Sequence, residues 1–197
     1  LSLAPFLLVM VTSFTRIIVV LHFVRSALGT QTSPPNQVLI GIALFLTLFI
    51  MAPVMTQINK DCIQPYDKGK LTQEEALNAG LKPIRKFMFE QTNRKDIRLF
   101  MEIEKQSNDV SIEKEDEIPT LVLIPAFMIS ELRIAFIIGF LIYLPFIVID
   151  MVVASTLMSM GMMMLPPTTI SMPFKILLFV LADGWNLVIG QLVKTFY

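Results

Sequence analysis

The second half of this chain takes its fold from the stretch Met158-Ser159-Met160-Gly161-Met162-Met163-Met164-Leu165-Pro166-Pro167. This stretch holds five methionines within seven residues and ends on two prolines, and no charged residue lies between Asp150 and Lys175. Glycine and paired prolines interrupt helices, so the stretch predicts a turn between two apolar helices. Methionine is unbranched and polarizable, and it fits irregular surfaces. A cluster of methionines at a turn therefore predicts a deformable apolar plug.

Charged residues lie symmetrically about this turn. Asp150 and Lys175 are equally distant in sequence from its centre, and so are Glu131 and Lys194. An antiparallel hairpin would bring each pair together, and we expect Asp150 and Lys175 to form an ion pair. For Lys194 two interpretations stay open: it pairs with Glu131, or it extends into solvent from a helix end.

The composition favours a membrane or a large protein interface. Hydrophobic residues make up 54% of the 197 residues and charged residues only 16%, with a net charge of zero. A soluble domain contains about a quarter charged residues. Most of the charges lie between Lys60 and Glu117. The balanced charge argues against a nucleic-acid partner.

Few residues are suited to catalysis or metal binding. The single histidine, His22, and the single cysteine, Cys62, lie far apart in sequence, which makes a catalytic triad or a zinc site improbable. The sequence contains no glycine-rich phosphate-binding loop. We therefore predict a protein that is not an enzyme and that holds no metal and no cofactor.

The predicted fold is all-α, with long kinked apolar helices in two hairpins and a small helical polar insert. Residues 1–58 form the N-terminal apolar hairpin, residues 59–119 the polar insert with an acidic linker, and residues 120–197 the C-terminal apolar hairpin with the methionine loop. Val38 to Met55 is an uncharged run of 18 residues, long enough to span a membrane.

Prolines give the expected helix ends. Pro53 should kink or stop the second apolar helix, and Pro125 and Pro145 should bend the third. Pro173 is well placed to begin the fourth apolar helix, which would run to about Phe196.

Within the insert, Thr72 and Glu75 have the spacing of a capping box that begins a helix. Apolar residues then recur at helical spacing: Leu77, Leu81, Ile84 and Met88. Residues 106–117 are acidic with few apolar side chains, which predicts a flexible linker.

Several blocks resemble a known family. They are Thr12-Ser13-Phe14-Thr15-Arg16, Pro34-Pro35-Asn36-Gln37, Ile124-Pro125-Ala126-Phe127, Ser130-Glu131-Leu132, Met172-Pro173-Phe174-Lys175 and Asp183-Gly184-Trp185. Together with the run from Pro145 to Ser155 and the methionine loop, they resemble the FliP family of type III export-gate proteins over nearly the whole chain. The flagellar branch fits better than the virulence-secretion branch.

The resemblance implies a non-enzymatic pore and gate subunit. Members assemble in several copies with the small Q and R subunits and other export-apparatus membrane proteins, in the bacterial inner membrane at the flagellar basal body. Unfolded export substrates pass through the channel, and the insert faces the periplasm. Members are made with a cleavable signal, which fits a chain that begins at Leu1.

The resemblance also implies roles for particular residues. Met160, Met162, Met163 and Met164 match the methionine gasket that seals the closed channel, and Gly161, Pro166 and Pro167 shape the loop. The charged positions of the family's paired helices match Glu131, Asp150 and Lys175.

A second class of function stays open. The chain could be a small-solute or proton-coupled membrane transporter, with Glu131 or Asp150 as the coupling acid. Many such transporters contain paired repeats with broken helices, and the sequence shows no repeat of that kind.

Overall fold

The computed structural model describes residues 9–104, 118–162 and 164–197. Every regular element in these ranges is a helix, so the all-α prediction is confirmed for this part of the chain. The helices are α1 (Phe14–Ala27), α2 (Asn36–Ile58), α3 (Gln64–Asp67), α4 (Gln73–Gln91), α5 (Arg94–Ile103), α6 (Thr120–Ser159), α7 (Pro167–Leu181) and α8 (Gly184–Lys194).

Within the described ranges, two helices are long and apolar enough to cross a membrane. A π-helical turn, Asn59–Ile63, joins α2 to α3, so that 32 residues from Asn36 to Asp67 form one helical segment. The other is α6, with 40 residues. The pair α7 and α8 meets the same length and composition criteria together, although it is bent by 65° at its break.

Pro53 does not stop the second apolar helix, which was one of the two expected outcomes; the other, a kink at Pro53, stays a prediction. Pro53 lies inside α2, which continues to Ile58, and α6 likewise runs unbroken through Pro125 and Pro145. A proline removes one backbone hydrogen bond at a cost of about 3 kcal/mol. Ending the helix in an apolar environment would leave several backbone groups unpaired, which costs more.

The predicted start at Pro173 is wrong. Helix α7 begins six residues earlier at Pro167, and Pro173 lies inside it. Nor does this apolar segment form one helix, because α8 follows a break at Asp183. Asp183 adopts the left-handed conformation with φ +48°, which few residues other than glycine adopt. Gly184 follows it because a Cβ there would lie 2.4 Å from the ring of Phe179.

The chain divides into two compact units. The first combines the residues up to Thr15 with Phe45–Arg133, and its core includes the edge-to-face pair Phe87 and Phe127, with ring centroids 5.9 Å apart. The second combines Arg16–Leu44 with Ile134–Tyr197. Its core contains Val24, Ala27, Leu28, Phe146 and Phe179.

The polar insert begins α4 as its sequence predicts. The Thr72 hydroxyl accepts a hydrogen bond from the Glu75 N–H, and the Glu75 carboxylate accepts one from the Thr72 N–H at 2.8 Å. The Thr72 hydroxyl also donates to this carboxylate at 2.9 Å. The hydrogen bonds that the Thr72 N–H and hydroxyl donate lower the pKa of the Glu75 carboxyl group.

The buried face of α4 includes only part of the predicted apolar stripe. Met88 is buried and Ile84 is half-buried, whereas Leu77 and Leu81 are exposed. Phe87, which is not part of the stripe, is also buried. The capping box set the helix start correctly, but spacing alone could not choose between two overlapping apolar faces. The predicted acidic linker, residues 106–117, lies outside the described residues.

Candidate gating site: the methionine tip and its ion pair

Gly161 ends α6 and turns the chain. Its N–H donates to the Met158 carbonyl at 3.0 Å, and the Met162 N–H donates to the Leu157 carbonyl at 3.0 Å. These two bonds define a Schellman motif, which needs a left-handed residue at the position of Gly161. Gly161 supplies it with φ +75°. Glycine is the residue that adopts this conformation without a Cβ clash.

The two prolines begin α7. Pro166 is the N-cap, in an extended conformation with ψ 116°, and Pro167 is at the first helical position. A proline there loses nothing, because the first N–H groups of a helix have no partner within it. The turn between α6 and α7 is therefore fixed at one end by Gly161 and at the other by Pro166 and Pro167.

The described methionines of the turn, Met160, Met162 and Met164, are exposed. Met160 is 68% exposed, Met162 43% and Met164 98%. Met163 lies outside the described residues. We call the loop from Met160 to Leu165 the methionine tip. Contiguous exposed apolar side chains on a folded chain mark a surface that contacts something else.

The ion pair predicted between Asp150 and Lys175 is present. Lys175 Nζ lies 2.6 Å from Asp150 Oδ2, and the Ser171 hydroxyl donates to Asp150 Oδ1 at 2.5 Å. Ser171 and Lys175 are four residues apart and therefore share one face of α7. Both oxygens of the carboxylate on α6 are thus bound by α7, which joins the two arms of the hairpin below the tip.

Burial within this cluster is uneven. The Lys175 side chain is 3% exposed and that of Asp150 is 29% exposed. Gly29, two residues beyond the end of α1, lies near Lys175. A Cβ built on Gly29 would be 3.9 Å from Lys175 Nζ. The C-terminal end of a helix has only partial negative charge, so it attracts the ammonium group less strongly than the carboxylate does. Because Lys175 is almost fully buried and Asp150 is not, Lys175 depends on Asp150 more than Asp150 depends on Lys175.

Two other predicted charges have different surroundings. Glu131 is fully buried, and Lys194 is exposed at the last position of α8. The pairing of Glu131 with Lys194 stays a prediction.

Arg16 is also fully buried and donates to the carbonyl and hydroxyl oxygens of Thr195, each at 3.0 Å. Its guanidinium carbon lies 3.9 Å from the centre of the Phe196 ring.

Sequence reasoning did not single out Ser171, Asp96 or Thr195. Ser171 could have been found from its spacing of four from Lys175, which a helix places on the same face. Asp96, which binds Arg133 at 2.5 Å, gave no local signal because it lies in the polar insert. Among the described residues, no three histidine, cysteine, aspartate or glutamate side chains are grouped so as to hold a metal ion.

A substitution at Gly161 tests the geometry of the turn. Gly161→Ala forces a residue with a Cβ into the left-handed conformation, which costs roughly 1–2 kcal/mol. We expect a lower midpoint of thermal unfolding for the purified protein. Gly161→Asn is the matched control, because asparagine is the next most common residue at this cap, and it should lose less. Equal midpoints for the alanine variant and the unsubstituted protein would contradict the role assigned to Gly161.

Comparison with known proteins places these features in a family. The model of the FliP family matches residues 1–192. The flagellar biosynthetic protein FliP of Bacillus subtilis (strain 168) is 54% identical over 195 residues, which cover 99% of this chain and 87% of the relative. The protein of the same name from Pectobacterium carotovorum subsp. carotovorum is 49% identical over 197 residues, covering 100% and 75%.

A third relative is longer. The flagellar biosynthetic protein FliP of Buchnera aphidicola subsp. Baizongia pistaciae (strain Bp) is 50% identical over 197 residues, which cover 100% of this chain and 54% of the relative. The chain therefore spans about half the length of that protein. A match across nearly the whole chain, at about half identity in each of the three relatives, leaves one conclusion. The chain belongs to the FliP family.

Proposed function

We propose that this chain is a pore-forming and gating subunit of the flagellar type III protein export apparatus. The observation that supports the proposal most is the exposed methionine tip at the end of a hairpin. Methionine side chains repack around differently shaped partners, which a seal around unfolded chains of varied sequence requires. In the closed state the tips of several copies pack together and exclude water.

The hairpin below the tip supports this role. Asp150 joins α6 to Ser171 and Lys175 of α7, and Gly161 with Pro166 and Pro167 fixes the turn. These contacts hold the backbone of the tip in one place while the methionine side chains stay adaptable. Glu131, fully buried on α6, serves as a structural charge in the same helix.

The proposed setting is the bacterial inner membrane at the flagellar basal body. The two long apolar helices and the bent pair α7 and α8 meet the length and composition requirement for membrane crossing. The partners are further copies of this chain, the small Q and R subunits of the gate, other export-apparatus membrane proteins and the unfolded substrates. The insert faces the periplasm.

A coupled transporter of small solutes is less well supported. A coupling acid must bind and release a proton during transport, whereas Asp150 already accepts hydrogen bonds from Ser171 and a nearly buried Lys175. Two hydrogen bonds from the neighbouring helix hold this carboxylate in a fixed geometry. A structural ion pair explains Asp150 without a transported proton.

Complementation tests the proposed function. The test uses a chimera in which this chain replaces the corresponding region of the Bacillus subtilis FliP protein. In a Bacillus subtilis strain that lacks its own FliP gene, the chimera should restore secretion of flagellar proteins and swimming. The amount of gate complex in the membrane is measured in parallel. A chimera that assembles in normal amount but secretes no flagellar protein would contradict the proposal.

A further inference from the structure

A buried carboxylate fastens the start of α5 to α6. Asp96 Oδ2 accepts a hydrogen bond from the Ser130 hydroxyl at 2.6 Å, and Asp96 Oδ1 accepts one from Nη2 of Arg133 at 2.5 Å. The Ser130 oxygen also accepts a hydrogen bond from the Asn93 N–H at 2.9 Å. Asn93 is the N-cap of α5. We call this network the insert latch: Asn93, Asp96, Ser130 and Arg133.

The latch constrains α6 in two ways. Ser130 and Arg133 are three residues apart and therefore lie on one face of the helix, one turn from each other. A single contact would leave α6 able to rotate about its axis, whereas two contacts to one carboxylate limit both rotation and sliding. Glu131 lies between these two residues in sequence and is fully buried, so a rotated helix would displace a buried charge.

The two charges of the latch are unequally buried. The Asp96 side chain is 3% exposed and the Arg133 side chain is 45% exposed. A buried carboxylate that loses its cation cannot recover hydration, whereas a half-exposed guanidinium group can. Loss of Arg133 should therefore be far more damaging than neutralisation of Asp96. If the latch only stabilised the fold, the two variants would differ in the amount of folded complex and not in secretion per complex.

We propose that Asp96 is a positioning residue of the gate, which fixes the rotation of α6 from the side of the insert through Ser130 and Arg133. The inference rests on the proposed function, because α6 is the helix that ends at the methionine tip. On this proposal, the insert sets the rotational position of the helix that carries the methionine tip.

Neutral variants of the full-length chain in the assembled gate test the latch. Arg133→Gln should lower secretion of flagellar protein per assembled complex by about tenfold, because it strands the Asp96 carboxylate. Asp96→Asn keeps the size of the side chain and should lower it by about twofold at most. The double variant Asp96→Asn with Arg133→Gln should recover most of the loss, and Arg133→Lys should stay near the unsubstituted protein. Arg98→Gln, an exposed arginine of α5, is the matched control.

Three results would overturn the inference. They are equal losses for Arg133→Gln and Asp96→Asn, a double variant as defective as Arg133→Gln, and a loss of secretion fully explained by less assembled complex. The last result would make the latch a folding contact only. Variants of the methionine tip separate this test from that of the proposed function. If they leak and Arg133→Gln secretes normally, the latch inference alone fails. If they neither leak nor alter secretion, the gate itself is refuted.

Discussion

Asp150→Ala will abolish most flagellar protein secretion, because it leaves the ammonium group of Lys175 buried without its carboxylate. Removing one partner of a buried pair typically costs about 3–5 kcal/mol. Lys175 is only 3% exposed and cannot recover hydration, and Ser171 loses the acceptor of its hydrogen bond. The loss is a large share of the 5–15 kcal/mol that stabilises an ordinary domain. Secretion and the amount of assembled gate are the two measurements.

The reciprocal variants sharpen this prediction. Lys175→Ala should be less damaging than Asp150→Ala, because Asp150 is 29% exposed and keeps its hydrogen bond from Ser171. The charge swap Asp150→Lys with Lys175→Asp should restore part of the function that either single change removes. Equal tolerance of both single alanine variants would show that the pair does not hold the hairpin together.

The sequence predicted the hairpin and its ion pair because both depend on local or symmetric signals. Glycine and two prolines marked the turn, and equal spacing from that turn related Asp150 to Lys175. Thr72 and Glu75 predicted the start of α4 for the same reason, since a capping box is contained within four residues.

Features that depend on tertiary contacts were not predictable in this way. Proline is accepted within a helix when the environment offers the backbone no other hydrogen-bond partner, and this explains Pro53 and Pro173. The break at Asp183 needs the close approach of Phe179 to Gly184, which no local pattern reveals. In the sequence, Asp96 is one of many charged residues of the polar insert. Only the fold shows its hydrogen bonds with Ser130 and Arg133.

Met162, Met163 and Met164 carry the second large prediction. Replacing all three with alanine should leave the closed gate permeable to small ions. Truncation to alanine of a methionine that is buried in a packed site costs about 2–5 kcal/mol. Each 1.4 kcal/mol shifts an equilibrium tenfold. The loss of three such contacts in every copy should therefore raise the leak by more than about tenfold, even if the tips repack partly.

Two control variants separate the seal from general damage. Met151→Ala removes an exposed methionine from α6 outside the tip and should leave the closed gate tight. Replacing Met162, Met163 and Met164 with leucine keeps the apolar volume, so the ion seal should persist. Branched leucine adapts less well than methionine, and this variant should secrete flagellar proteins more slowly.

Ion conductance of the purified gate complex in a lipid bilayer, without substrate, tests the seal most directly. The unsubstituted complex and the leucine variant should be closed, and the alanine variant should conduct. An alanine variant that is as tight as the unsubstituted complex, and that secretes normally in cells, would contradict the assignment of the methionine tip as the gate.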